Sequence, residues 1–151
     1  MNNTSQSLAL IVGGKHLHGV RVYFEDTDAG GIVYYANYLK FSERARTEML
    51  RAIGYEHKDK GKNYGVSFVV SRCNVEFFKP GMLGDWLEVE TEILMVRGAS
   101  IRMRQNIKKG NHELVLMEVK LACISSDGSP VRIPIRLRDR MSDLILLKGD
   151  G

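Results

Sequence analysis

Hydrophobic and polar positions along the chain alternate first with the two-residue period of strands. Val20, Val22 and Phe24 are separated by Arg21 and Tyr23, which predicts a first strand over about 17–25. The pattern breaks at Asp26-Thr-Asp-Ala-Gly-Gly31, a run of turn formers with adjacent glycines that let another group approach the backbone closely. From about Tyr35 to Ile53 the period changes to that of a helix. Tyr38, Phe41, Ala45, Met49 and Ile53 recur every three or four residues, and Gly54 stands where a C-cap belongs. Lys40, Glu43, Arg44, Arg46, Glu48 and Arg51 form the polar side, with Arg44 and Glu48 at pairing distance along it.

Residues 56–65 have no apolar period and read as a mobile loop. Strand patterns then return over 66–78, Trp86–Val96, 100–107 and 113–124, separated by turns at 79–85, 108–111 and 125–130. Leu87, Val89, Thr91, Ile93 and Met95 are expected on one face of their strand and Glu88, Glu90 and Glu92 on the other. The next strand repeats this with Arg102 and Arg104 outward, so an acidic ladder should lie beside a basic one in an antiparallel hairpin. Pro134 opens a short terminal helix over 135–141, and residues 1–15 and 148–151 read as flexible tails. One helix followed by a run of antiparallel strands is an α+β pattern of a single domain, a long helix wrapped by one curved sheet. The uncovered side of such a sheet predicts that two chains pair through their sheets, with the chemistry between them.

Composition adds little to this. The chain has 151 residues, 44% hydrophobic and 26% charged, which is average for a soluble domain. No apolar run is long enough to span a bilayer, and the N-terminus lacks the basic start of a secretory signal, so the expected location is the cytoplasm, without stable membrane insertion. The net charge of +4 is scattered along the chain, which suits an anionic small ligand and gives a nucleic-acid reading no basic block or stacking aromatics. Cys73 and Cys123 lie in alternating apolar segments and are expected to be buried, inert thiols. His16 and His18 share a strand face but no third ligand is evident, and His57 and His112 read as loop residues, so no metal is expected. The spacing after Asp26 and Asp28 also fails as a calcium loop, because Ile32 and Val33 follow and no Glu stands at the twelfth position.

Read alone, Asp-Thr-Asp with glycines before a helix is more often a turn and N-cap than a catalytic loop. The run Arg21-Val-Tyr-Phe-Glu-Asp-Thr-Asp-Ala-Gly-Gly-Ile-Val-Tyr-Tyr-Ala-Asn-Tyr38, continuing to Leu50 through Ser-Glu-Arg-Ala-Arg-Thr-Glu, reverses that preference. It resembles the signature of the 4-hydroxybenzoyl-CoA thioesterase family, and within it the Tol-Pal-associated acyl-CoA thioesterase branch. The resemblance implies a hotdog fold, homodimers or homotetramers, and hydrolysis of short-chain or aromatic acyl-CoA thioesters. It implies no cofactor beyond the CoA of the substrate, and an acyl carrier protein is a further partner to consider.

Carried over position by position, the resemblance places the catalytic carboxylate at Asp28, with Asp26 as its non-catalytic twin. It places the donor to the thioester carbonyl at the backbone N–H of Tyr35; the branch often has His there, so the role belongs to the main chain. A carboxylate can attack the carbonyl or activate a water, and both options stay open. Unpaired N–H groups at the start of the helix suit the developing oxyanion. Gly30 and Gly31 would give the substrate clearance, and Asn37 would cap the helix or touch the substrate. Glu43 and Glu48 are read as solvated or paired helix charges.

The CoA phosphates need cations, for which Arg97, Arg102, Lys108, Lys109, Arg132, Arg136 and Arg138 are available. Arg97-Gly-Ala-Ser100 is the segment favoured for the pantetheine arm. A module that binds acyl-CoA or an acyl carrier without turnover is the alternative, and Asp28 discriminates the two.

Overall fold

The computed structural model describes residues 11–149. Strands β1 (Ile11–Val12) and β2 (Lys15–Arg21) lead through a 3₁₀ turn at Phe24–Asp26 into helix α1 (Asn37–Ala52). Four strands follow, β3 (Ser67–Phe77), β4 (Trp86–Val96), β5 (Ser100–Lys109) and β6 (His112–Ile124), and helix α2 (Ile135–Gly149) closes the chain. All strands form one antiparallel sheet in the order β1-β2-β4-β5-β6-β3, so β3 is an outer strand. The sheet packs its inner face on α1, which is the hotdog arrangement.

Helix α1 forms where the apolar period placed it. Tyr38, Phe41, Ala45, Met49 and Ile53 are all buried, against Leu87, Val89 and Ile93 of β4 and Ile101, Met103 and Ile107 of β5 in one core. Burying side chains such as Phe41 and Met49 stabilises the fold by about 1.5–3 kcal/mol each. The C-terminus is a Schellman motif, in which the Gly54 N–H donates to the Arg51 carbonyl (3.0 Å) and the Tyr55 N–H to that of Leu50 (2.9 Å), with Gly54 left-handed at φ +96°. The expected Arg44–Glu48 pair is absent. Glu48 instead meets Arg51 at 2.7 Å, and Arg51 reaches on to Glu56 at 2.9 Å, because the chain after the helix folds back beside it.

Several boundaries differ from the pattern. The first strand ends at Arg21, because the Asp26 carboxylate accepts the Tyr23 N–H and the Asp26 N–H returns to the Tyr23 carbonyl, closing the 3₁₀ turn. Residues 11–15 are not a tail: Ile11 pairs with His16 and Val12 with Lys15 across the Gly13-Gly14 turn. The expectation for residues 1–10 lies outside the described residues. The terminal helix runs to Gly149, well past Met141, since Leu137, Met141 and Leu144 continue one buried stripe and Lys148 bonds the Ile93 carbonyl at 2.6 Å. A bulge between Ile93 and Met95 turns Met95 out of the core face to stand opposite Arg102. The charge ladders form ion pairs at Glu92–Arg104 (3.2 Å) and Glu90–Lys108 (2.8 Å), while Arg102 turns to Glu118 on β6 (2.8 Å).

Cys123 is buried, as expected, and Cys73 is exposed. The difference comes from β3 itself. Cys73 pairs with Val119, Val70 with Leu121 and Phe77 with Val115, all inward-facing residues of β6, yet Val70 and Phe77 are about half exposed at 49% and 51%. Helix α1 packs mainly on β2 and β4, so the inner face of this edge is only partly covered, by Tyr35 and Tyr38 at Phe77 and by Tyr55 at Phe68.

Candidate active site

Asp28 stands at the tip of a loop closed at its base by the Thr27–Val33 bridge. The Asp28 N–H donates to the Ile32 carbonyl (2.8 Å), and the Gly31 N–H donates back to the Asp28 carbonyl (3.1 Å). The Gly30 N–H donates to Asp28 Oδ1 (2.8 Å), an Asx turn that fixes the carboxylate and leaves Oδ2 without a partner among the described residues. Gly31 holds φ +81°, the left-handed conformation the turn requires and that a side chain would resist. The Asp28 side chain is exposed, so it is ready to meet a ligand from outside.

Both ends of this loop are tied to the first turn of α1. At the incoming end, the Asp26 carbonyl accepts the Tyr34 N–H and the Asn37 Nδ2–H, each at 2.9 Å. At the outgoing end, the Val33 N–H donates to the Gly81 carbonyl (2.8 Å), and the Gly81 N–H donates to the Tyr38 hydroxyl (2.8 Å). Burial raises the Tyr38 phenol above its ordinary range, which keeps it neutral as the acceptor. Asn37 therefore does not cap the helix: the N-cap is Ala36, with no side-chain bond.

The N–H groups of Tyr35 and Ala36 have no acceptor among the described residues. They stand at the positive end of α1, next to the Asp28 loop, where a thioester oxygen could take them. The Tyr35 ring is exposed and meets Tyr34 (centroids 5.0 Å) and Phe77 on β3 (6.1 Å, edge to face), and Phe77 also meets Tyr38 (6.0 Å). Carboxylate, free amides and an aromatic wall thus come together at one end of α1.

Arg97 and Ser100 do not join them in this chain. They sit at the β4–β5 turn, whereas the Asp28 loop is bound to the turn that precedes Trp86. The length of β4 separates the two, roughly 30 Å. With Arg72, Asn74, Arg102, Lys120 and the Glu118 that pairs with Arg102 they line a shallow outer-face groove of about 360 Å³. Of the other candidate cations, Lys108 is paired with Glu90 and Lys109 with Asp85, each at 2.8 Å, and Arg138 donates to the carbonyls of Arg97 and Gly98.

Sequence reasoning did not find the roles of Asp26, Gly81 and Phe77, which depend on contacts remote in sequence. It also missed a buried polar group beneath the helix. Gln105 Nε2 donates to the Ser42 carbonyl (2.9 Å) and Thr91 Oγ1 (3.0 Å), while Arg46 Nη1 donates to Gln105 Oε1 and Ser42 Oγ (both 2.9 Å). The available signal was a glutamine at a core position of an alternating strand.

Known proteins match more than half of this chain. The family model described as Thioesterase superfamily matches residues 30–116. Acyl-CoA thioesterase YbgC of Haemophilus influenzae is 41% identical over 116 residues, 76% of this chain and 85% of the relative. Acyl-CoA thioester hydrolase YbgC of Escherichia coli O157:H7 is 45% identical over 106 residues, 70% of this chain and 78% of the relative. The crystal structure of a probable thioesterase from Bartonella henselae superposes with a TM-score of 0.75 at 36% identity, covering 80% of this chain and 99% of that one.

Proposed function

From the premise that the chain belongs to the thioesterase superfamily and is an acyl-CoA thioester hydrolase, we propose that Asp28 and the Tyr35 N–H carry out the hydrolysis. The thioester carbonyl oxygen accepts from the free Tyr35 amide. Asp28 Oδ2 then either attacks the carbonyl carbon, expelling the CoA thiolate and leaving a mixed anhydride for water to open, or takes a proton from a water that attacks in its place. One observation carries this assignment: the carboxylate, with a single oxygen held by Gly30, is clamped beside two unpartnered helix-terminal amides. Gly30 and Gly31 leave the approach open, and the rings of Tyr34, Tyr35 and Phe77 favour small aromatic or short acyl groups.

The separation of Asp28 from the Arg97–Ser100 groove supports a site shared by two chains. The Ser67 end of β3 lies opposite Ile124, and Ser100 stands opposite Ala122, so the Arg97–Ser100 turn belongs to that end; the Phe77 end stacks on Tyr35. If two β3 edges pair antiparallel about a twofold axis, the Ser67 end of one chain meets the Phe77 end of the other. The partner's Arg97 and Ser100 then approach Asp28, with the partner's Arg72, Arg102 and Lys120 to hold the CoA phosphates. This homodimer, alone or doubled into a tetramer, also pairs the open edge of β3. A cytoplasmic location is the reading of the sequence pattern, while an acyl carrier protein partner and the Tol-Pal association rest on the resemblance of the Arg21–Leu50 run alone.

The test is thiol release from a panel of short and aromatic acyl-CoA esters by wild type and Asp28→Asn. Turnover by the wild type that falls a hundredfold or more in the variant supports the reading, roughly 3 kcal/mol of transition-state stabilisation. Equal rates overturn it. Binding of the esters without turnover would favour the non-catalytic acyl-CoA module.

A further inference from the structure

Among the described residues, side chains of two consecutive helix residues anchor the loop that carries Asp28 to the helix beside the free amides, in addition to the Tyr34 N–H on the Asp26 carbonyl. Asn37 holds the residue before the loop, through Nδ2 and the Asp26 carbonyl at 2.9 Å. Tyr38 holds the residue after it, through the Gly81 peptide: its hydroxyl accepts the Gly81 N–H at 2.8 Å, and the Gly81 carbonyl accepts the Val33 N–H at 2.8 Å. Consecutive helix residues point about 100° apart, so the pair grips the loop from two directions. Gly81 fits this passage because a side chain there would press on Val33 Cγ2 and the Tyr38 hydroxyl, 3.2 and 3.4 Å from an added Cβ.

Neither hydrogen bond caps the helix. The N-cap is Ala36, and the Asn37 side chain leaves the helix end to reach back eleven residues. Its carboxamide donates to a carbonyl already engaged by Tyr34, so its contribution is a second, directional bond between loop and helix. Catalysis by a carboxylate and an amide on separate elements depends on their mutual placement, and a displacement near 1 Å costs about a hundredfold in rate.

We infer that Asn37 is a positioning residue, assisted by Tyr38, which sets the distance between the Asp28 carboxylate and the Tyr35 amide without touching the substrate. This rests on the proposed roles of Asp28 and Tyr35 and replaces the substrate contact expected of Asn37.

The experiment compares Asn37→Leu, which keeps the size and loses the donor, with Asn37→His, whose Nδ1–H occupies nearly the same place, and with Tyr38→Phe. Asn37→Leu should fold, melt cooperatively and lose roughly 10- to 100-fold in kcat with KM within about threefold of wild type. Asn37→His should recover most of that loss, and Tyr38→Phe should lose kcat in the same manner. Wild-type kcat in Asn37→Leu overturns the inference, as does a loss confined to KM, which would return Asn37 to substrate contact. A second readout needs no substrate: exchange of the Tyr34 amide, followed by NMR, should quicken in Asn37→Leu and return towards the wild-type rate in Asn37→His. Unchanged exchange overturns the clamp. Should the wild type hydrolyse no acyl-CoA ester, the catalytic assignment fails, while this exchange experiment still decides whether Asn37 holds the loop.

Discussion

The Gly30 N–H donates to Oδ1 of Asp28 over 2.8 Å, so the aspartate is held by its own loop and only Oδ2 faces outward for chemistry. Asparagine at position 28 keeps a carbonyl oxygen for that bond and removes the charge. Asp28→Asn should therefore retain the loop and lose at least about a hundredfold in kcat. Asp26 offers the contrast, since its Oδ2 accepts the Tyr23 N–H at 2.8 Å and its carbonyl holds α1. Asp26→Asn preserves these acceptors and should cost less than about tenfold. A larger loss at position 26 than at 28 in thiol-release assays would exchange the two assignments.

The polar group beneath α1 should matter for stability and not for the chemistry. Gln105 is fully buried and satisfies Thr91, Ser42 and the partly buried guanidinium of Arg46, whose pKa burial lowers. Among the described residues Arg46 has no carboxylate in ion-pair range, so the neutral oxygen of Gln105 is its principal acceptor. Gln105→Leu fits the volume but strands these groups, and should destabilise by about 3 kcal/mol. Urea denaturation measures this directly; a loss below about 1 kcal/mol would mean that water replaces the amide.

Buried His16 predicts an acid-sensitive fold. It is 1% exposed, faces α1 from β2, and neither ring nitrogen has a hydrogen-bond partner. Burial, with a smaller push from His18, lowers its pKa from 6.5 to about 4 against the opposing pull of Glu48. The unfolded chain thus binds the proton more readily than the folded one. Stability is complete above about pH 6.5 and falls as the pH drops towards 4, by roughly 3 kcal/mol across the window. His18 shifts in the same direction, chiefly by burial. His16→Leu should flatten most of the change in urea midpoint between pH 7.5 and 4.5, and an unaltered slope would assign the acid sensitivity elsewhere.

What could be read from the sequence follows from the range of the interactions. Helix α1 was legible because its stripe, its Gly54 stop and its neighbours are local, and the strands because alternation is local too. The end of β2 was not, since Phe24 continues the alternation and only the Asp26 carboxylate, folding back on Tyr23, breaks it. The proposed roles of Asp28 and Tyr35 rest on one contiguous run. The Arg97–Ser100 segment was assigned to the same site, and within one chain it lies the length of β4 from Asp28, because only the long-range bonds of the Asp28 loop to Gly81 and Leu83 set which end of the sheet the loop joins. Cys73 failed for a similar reason: alternation tells which face a residue occupies, not whether anything covers that face.

Edge strand β3 should govern assembly. Val69 and Val70 are exposed at 42% and 49% near the Ser67 end of an open edge, and nearby Cys73 is exposed as well. Lysine at both valines would place charge where a second β3 has to pair. Sedimentation of Val69→Lys/Val70→Lys should report a monomer where the wild type is a dimer. Cys73 should react faster with a thiol reagent in that variant than in the wild type. Assembly unchanged by both lysines would remove β3 as the interface.

A shared site makes a stronger demand, which mixing two defective variants can meet. Asp28→Asn keeps the Arg97 groove and lacks the carboxylate. Arg97→Ala/Arg102→Ala keeps the carboxylate and lacks two of the cations that line the groove, and should raise KM at low salt by removing charge-assisted contacts to phosphate. In a heterodimer with antiparallel β3 edges, the Asp28 of the second protein faces the intact groove of the first, so one of the two sites is whole. The other site carries both defects. Refolding the variants together should then restore towards half of the wild-type kcat/KM per heterodimer, while each alone stays low. Were the site contained in one chain, every chain in the mixture would be defective, and the mixed sample would show no more activity than the sum of its parts.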